Sequence, residues 1–244
     1  MINKSILQSV INKYYLNVCE SVTWKIENNN LTIYFESPNG NIRGKVTCDN
    51  FPLEDSELAI YDTKKLSSLI SICNGDLLLE LEKQHKLISK LKISDLNFNL
   101  TYAVSDPLLV PKVGTINVPE FTVNLDLTRE NIDNLIKAKS ALQGIDNMLI
   151  TTTTNLDGEN VCEFVFGDEH GHNNKITYQI SGDITEESMK LPFNSDTFKT
   201  IIHANKDMDE GTMKINSMGL IEFKFSNEEV KSEYYMYRKA ETEF

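Results

Sequence analysis

Between Val104 and Phe121 the chain reads VSDPLLVPKVGTINVPEF. Three of its six prolines, Pro107, Pro111 and Pro119, fall in this stretch, with Gly114 between them. A proline has no N–H donor and pushes the residue before it toward extended geometry, so the stretch is neither a helix interior nor a central strand. Leu108, Leu109, Val110, Val113, Ile116 and Val118 make it too apolar for a free tether. A stiff, greasy connector lies against something. On either side one pattern recurs: amphipathic helix, strands, amphipathic helix, strands. The stretch therefore reads as a strap over residues 105–120, joining two similar domains, 1–104 and 121–244.

Working outward, the first helix spans about Asn3 to Leu16, with Ile6, Leu7, Val10, Ile11 and Tyr14 at helical period. Asp62 caps a second helix, Thr63 to Cys73, which buries Leu66, Leu69, Ile70 and Cys73. Thr128 opens a third that runs to about Gln143, and Ser195 caps a fourth that runs to about Lys206. Between them, runs such as Val22–Ile26, Leu31–Glu36 and Met148–Thr154 alternate or are wholly apolar, as strands do. The first and third helices begin 125 residues apart and the second and fourth 133, which points to an internal duplication of pattern.

Charge sharpens the picture. The chain carries -12 overall, from 24 basic against 36 acidic residues, yet the four helices hold nine basic and three acidic ones. Lysines on a solvated helix face are commonplace. Here, however, small polar residues such as Ser5, Gln8, Asn12, Ser68, Ser71, Ser140 and Thr200 separate them, a face suited to loose phosphate contact. It offers neither an aromatic stacking platform nor an Arg-Asn-Gln cluster for base reading. Contacts of that kind are independent of sequence and sensitive to salt.

Other chemistry is thinly represented. Cys19, Cys48, Cys73 and Cys162 lack paired spacing, so neither a disulfide framework nor a zinc site is expected, and the chain suits a reducing cytoplasm. No apolar run reaches the about 18 residues of a membrane span, and residues Met1 to Val10 lack a signal-peptide core. Phosphate loops, nucleophile elbows and dinucleotide fingerprints are absent. Asp168-Glu169-His170-Gly171-His172 is the one constellation to weigh as a metal site, and its glycine and flanking asparagines mark a hairpin tip instead. No cofactor, metal or catalytic residue is expected.

AIYD at Ala59–Asp62, ICNGD at Ile72–Asp76 closing a short helix, and SDP at Ser105–Pro107 opening the strap resemble the DNA polymerase sliding clamps of T-even-type bacteriophages. So do the Phe198–Met208 helix with Gly211 behind it, YYMY at Tyr234–Tyr237, and Phe244. The element order is similar to that of the wider clamp group, including proliferating cell nuclear antigen. The resemblance implies an α+β clamp fold with two similar domains per chain, each with antiparallel sheets outside and two helices inside. It further implies a closed homotrimeric ring around double-stranded DNA, opened by an ATP-driven clamp loader and tethering the viral DNA polymerase. For the T-even type it adds a late-transcription role with a sigma-like factor, and it places the protein in the cytoplasm of an infected bacterial host.

Carried onto this sequence, the resemblance assigns phosphate contact to Lys4, Lys13, Lys64, Lys137, Lys199 and His203, with Arg43 and Lys45 as weaker candidates. It assigns a partner-peptide pocket to Ile42, Leu108, Leu109, Val110, Leu220, Tyr235 and Tyr237. Asn97–Ala103 and Lys175–Ser181 are the edges expected to pair between copies. Two alternatives stand beside this reading: a viral structural or scaffold ring that does not bind DNA, and an enzyme with an unrecognised acidic site.

Overall fold

The computed structural model describes residues 1–85, 87–155, 157–167, 174–186 and 188–239. The chain divides into two compact units, Met1–Thr115 with Asn227–Ser232, and Ile116–Ser226 with the residues from Glu233 onward.

In the first unit, helices α1 (Lys4–Tyr15) and α2 (Thr63–Ser71) pack together, and α1 lies on strands β3 (Asn30–Glu36) and β4 (Ile42–Cys48). These strands belong to an antiparallel sheet ordered β5-β2-β3-β4, with β2 at Val22–Glu27 and β5 at Ser56–Ile60. A second antiparallel sheet runs β1-β6-β7-β8, from Ile2–Asn3 through Asp76–Gln84 and Leu87–Ser94 to Asn99–Ala103. Strand alternation decides what is buried: on β4, Ile42, Gly44, Val46 and Cys48 turn inward while Arg43, Lys45 and Thr47 turn away. Trp24 of β2 is fully buried and meets Phe51 edge-on, with ring centroids 5.8 Å apart.

The second unit repeats the plan. Helices α3 (Arg129–Ala141) and α4 (Ser195–Ala204) pack together. One sheet is ordered β12-β11-β10-β14, with β10 at Asn147–Thr154, β11 at Asn160–Gly167, β12 at Lys175–Ser181 and β14 at Lys190–Asn194. The other is ordered β13-β9-β15-β16-β17, from Asp183–Ile184 through Val123–Asp126, Glu210–Ile215 and Leu220–Ser226 to Val230–Tyr237. Its core is a run of aromatic rings, Phe164–Phe198–Phe223–Phe225–Tyr234, with successive centroids 5.7, 5.7, 6.3 and 6.3 Å apart.

The duplication extends to single hydrogen bonds. After α1, the Glu20 carbonyl accepts from Thr63 Oγ1 at 2.8 Å and from Thr63 N at 3.0 Å. After α3, the Ile145 carbonyl accepts from Ser195 Oγ at 3.0 Å and the Asp146 carbonyl from Ser195 N at 2.8 Å. Asp62 and Asn194 are the matching N-caps, accepting from Lys65 N and Thr197 N, each at 2.8 Å. This corrects the sequence expectation of Ser195 as the cap. Its hydroxyl is buried and bonded inward, so the residue before it closes the helix.

The strap forms one 3₁₀ turn at Pro107–Leu109, where Asp106 Oδ1 accepts from Leu108 N at 2.9 Å. No strand forms over 110–122. Its start is pinned to β5, with Ser105 N donating to the Ala59 carbonyl at 3.1 Å. No helix among the described residues is long and apolar enough to cross a membrane.

Candidate nucleic-acid interface

The cations foreseen on the helices fall into two groups. In the first unit, Lys64 and Lys65 of α2 are exposed, and no ion pair involves either side chain among the described residues. In the second unit Arg129 and Lys137 of α3 and His203 of α4 are exposed, and Lys199 is half-buried, again without an ion pair among the described residues. Lys65 and Arg129 were missed from the sequence. Lys65 flanks the apolar stripe of α2 instead of opposing it, and Arg129 precedes the first apolar residue of α3.

The other lysines have structural work. Lys13 is fully buried, its Nζ donating to Ser9 Oγ at 2.6 Å one turn back, which removes it from the phosphate-facing set. Lys139 is its counterpart in α3: only 5% exposed, it donates to the Ile145 carbonyl and lies 2.9 Å from Asp196 Oδ1, joining α3 to α4. Lys4 is half-buried. Its ammonium donates to the carbonyls of Ser71, at 2.7 Å, and Cys73, at the C-terminal end of α2 where the helix dipole is negative. Beside it, the Asp95 carboxylate accepts from the backbone of Asn97, Asn74 and Phe98, and these bonds hold its pKa below the usual range. Lys4 therefore closes a helix. Lys4→Met is expected to lower unfolding stability by about 1 kcal/mol, measured by urea titration, and to leave the salt dependence of DNA binding unchanged.

The small polar residues also differ from expectation. Ser68 Oγ donates to the Lys64 carbonyl, Ser71 Oγ to Ser68, Ser140 Oγ to Ile136 and Thr200 Oγ1 to Asp196, at 2.9, 2.6, 2.6 and 2.8 Å. A hydroxyl has one proton to give, and here the helix backbone takes it.

Arg43 and Lys45, the weaker candidates, lie on the face of β4 turned away from α1. Arg43 Nε sits 3.0 Å from Glu36 Oε1 without the alignment of a hydrogen bond, and Lys45 Nζ lies 5.5 Å from the centroid of the Tyr34 ring. Neither belongs to the helical surface.

Of the proposed pocket residues, Leu108 and Leu109 are 85% and 66% exposed, an unusual density of bare apolar surface for a strap. Ile42 and Val110 in the first unit and Leu220 in the second are already covered by their own chain. They support their surroundings instead of offering open contact. Tyr235 and Tyr237 are half-buried; Tyr235 Oη donates within a cluster, 3.0 Å from Glu222 Oε1 and 2.7 Å from Glu233 Oε1. Burial first, and these carboxylates second, push its pKa up. Lys224 Nζ balances the pair, 3.0 Å from Glu222 and 3.2 Å from Glu233.

Both foreseen edges are edges. Strand β8 pairs with β7 and β12 with β11, and each is terminal in its sheet. Asp168–His172 and Phe244 lie outside the described residues. Among the described residues no group of three or more His, Cys, Asp or Glu is arranged to hold a metal ion.

Two units of this kind, each a helix pair backed by antiparallel sheets, define the fold of the sliding clamps of the PCNA type, and the α+β clamp fold expected from the sequence is the fold observed. A. fulgidus PCNA, solved with the C-terminal region of FEN-1 bound, superposes with a TM-score of 0.79 at 14% identity, over 99% of this chain and 98% of that one. Proliferating Cellular Nuclear Antigen from Entamoeba histolytica gives 0.72 at 13% identity, over 98% and 96%. The PCNA2–PCNA3 complex from Sulfolobus tokodaii gives 0.75 at 12% identity, over 99% and 98%. No protein-family model matches the chain, and no curated protein matches it in sequence.

Proposed function

We propose that the chain is a sliding clamp without enzymatic activity: three copies close a ring around duplex DNA and tether a replicative polymerase to it. The observation that carries this reading is the sorting of charge. In each unit the helices carry cations without an ion pair among the described residues, Lys64 and Lys65 on α2 and Arg129, Lys137 and Lys199 on α3 and α4, while the chain as a whole bears -12. Full-length likeness to clamps on both sides of each comparison supports it. Physics favours the topology. Non-specific electrostatic binding has a Kd of roughly 10⁻⁴–10⁻⁶ M at physiological salt, too weak to hold an enzyme on its template. Encirclement replaces affinity with linkage, and loose lysine contacts then let the ring slide. Negative charge elsewhere keeps DNA off other surfaces.

Two different open edges, β8 and β12, suit a head-to-tail joint, and such joints close into rings when the rotation allows. The bare Leu108-Leu109 turn is the place for a short apolar partner peptide, as on the polymerase. Opening by an ATP-driven loader, the tie to T-even-type phages, a late-transcription partner and action in the cytoplasm of an infected bacterium complete the proposal; these rest on the sequence resemblance. Light scattering at micromolar concentration tests the assembly: the expected mass is three times 27.8 kDa, and a persistent single-chain mass contradicts the ring.

A further inference from the structure

The two open edges share a feature that their positions in the fold do not explain. On β8, Tyr102 Oη donates to the Asp62 carbonyl at 3.1 Å and accepts from Asp62 N at 3.0 Å. Asp62 is the N-cap of α2, immediately before the exposed Lys64 and Lys65. On β12, Tyr178 Oη donates to Asn131 Oδ1 at 2.8 Å and accepts from Asn134 Nδ2 at 3.3 Å. Both asparagines belong to α3, between the exposed Arg129 and Lys137. Asn131 is itself fixed, its Nδ2 donating to the Asp126 carbonyl at 3.1 Å, which leaves Oδ1 facing the tyrosine.

Strands β8 and β12 are not counterparts under the duplication, since β8 follows the second helix of its unit and β12 the first of its own, yet each ends its sheet on the side away from the strand that runs into a helix, β1 or β14. The opposite edges need no such tie, because β1 runs directly into α1 at Asn3 and β14 into α4 at Asn194. Each of the two free edges is tied by a tyrosine hydroxyl to a helix position 40 to 47 residues away, and among the described residues Tyr234 of β17 makes a comparable bond to Asn205 at the end of α4. At both free edges the hydroxyl gives and accepts a bond, so it fixes distance and direction between strand and helix. Burial raises the pKa of Tyr102, so it remains a neutral donor at all working pH values.

We infer that Tyr102 and Tyr178 are positioning residues that tie each joint-forming edge to a cation-bearing helix, so that duplex DNA held by the helices tightens the joint between copies. The inference rests on the ring reading above. When phosphates fix Lys64 or Arg129, the tie restricts β8 or β12 to one placement, and the edges meet with less ordering left to do. Linkage makes the effect reciprocal: a closed joint presents the cations in register for DNA.

The test is a double variant, Tyr102→Phe with Tyr178→Phe, and separately Asn131→Ala with Asn134→Ala, which removes both bonds of Tyr178 while leaving the tyrosine on the edge. The trimer dissociation constant is measured by sedimentation with and without a short blunt-ended duplex that can thread without a loader. In the unaltered chain, DNA is expected to lower that constant about tenfold. In both variants the ratio is expected to fall toward one, with the thermal midpoint showing that the chain is folded. An unchanged ratio in the variants overturns the inference, as does equal weakening with and without DNA, which marks a purely structural bond. A trimer indifferent to DNA in the unaltered chain overturns it too while leaving the ring standing. A chain that never trimerises removes the ring reading itself.

Discussion

Replacing Lys64, Lys137 and Lys199 together with glutamate is expected to lower the salt slope of DNA binding by about three, roughly one for each lost phosphate contact. The three side chains lie on α2, α3 and α4, and none forms an ion pair among the described residues, so the exchange breaks no internal bond shown there. They are also absent from β8 and β12, so the assembly mass should be unchanged. Binding titrations across a salt series measure the slope, and light scattering measures the mass. The parallel exchange at Lys4 and Lys13 should behave oppositely. Their ammonium groups serve the α2 terminus and the interior of the first unit, so stability should fall while the slope holds. An unchanged slope in the triple variant removes the helices from the account.

The second large effect lies in the core of the second unit. Phe198 is 1% exposed, with Phe164 and Phe223 each 5.7 Å from its ring centre. Phe198→Ala should cost about 3–5 kcal/mol, the range for emptying a buried aromatic site. Domains are stable by only about 5–15 kcal/mol in all, so the unit carrying α4 and its cations should lose most of its margin. Phe198→Leu keeps much of the volume and should cost under about half as much. Urea midpoints of the two variants check the order; a loss below about 1 kcal/mol for the alanine variant contradicts the packing described.

Much of this was legible in the chain because helices announce themselves by period and caps. Asp62 and Thr128 could be read as caps directly, and the bonds they make are those expected of them. What the sequence hid has physical reasons. Strand β14 contains Pro192, which argues against a strand, but β14 is a sheet edge where a missing N–H costs nothing. Strands β1 and β13 have two residues each, too few to show alternation. Lys13 reads as a surface lysine until the fold shows that it finds Ser9, and Lys139, which the period places on the apolar side of α3, finds Ile145 and Asp196. A buried cation is decided by its partners, and for Lys139 they come from other segments of the chain. Ser195 reads as a cap because serine caps so often; only the approach of Ile145, 50 residues away, shows why its hydroxyl turns inward. An apolar strap that lies against something fits the buried Val110 but not the bare Leu108 and Leu109, and the covered state of Ile42 and Leu220 depends on neighbours that no local pattern reveals.

In the proposed ring, DNA is held by being enclosed. Protein threaded onto a linear duplex through its ends, after which both ends are blocked, should remain on that duplex through a wash at salt high enough to abolish phosphate contact. With the ends left open it should be lost under the same wash. Equal loss from blocked and open duplexes contradicts enclosure, because a surface binder responds to salt and is blind to the ends.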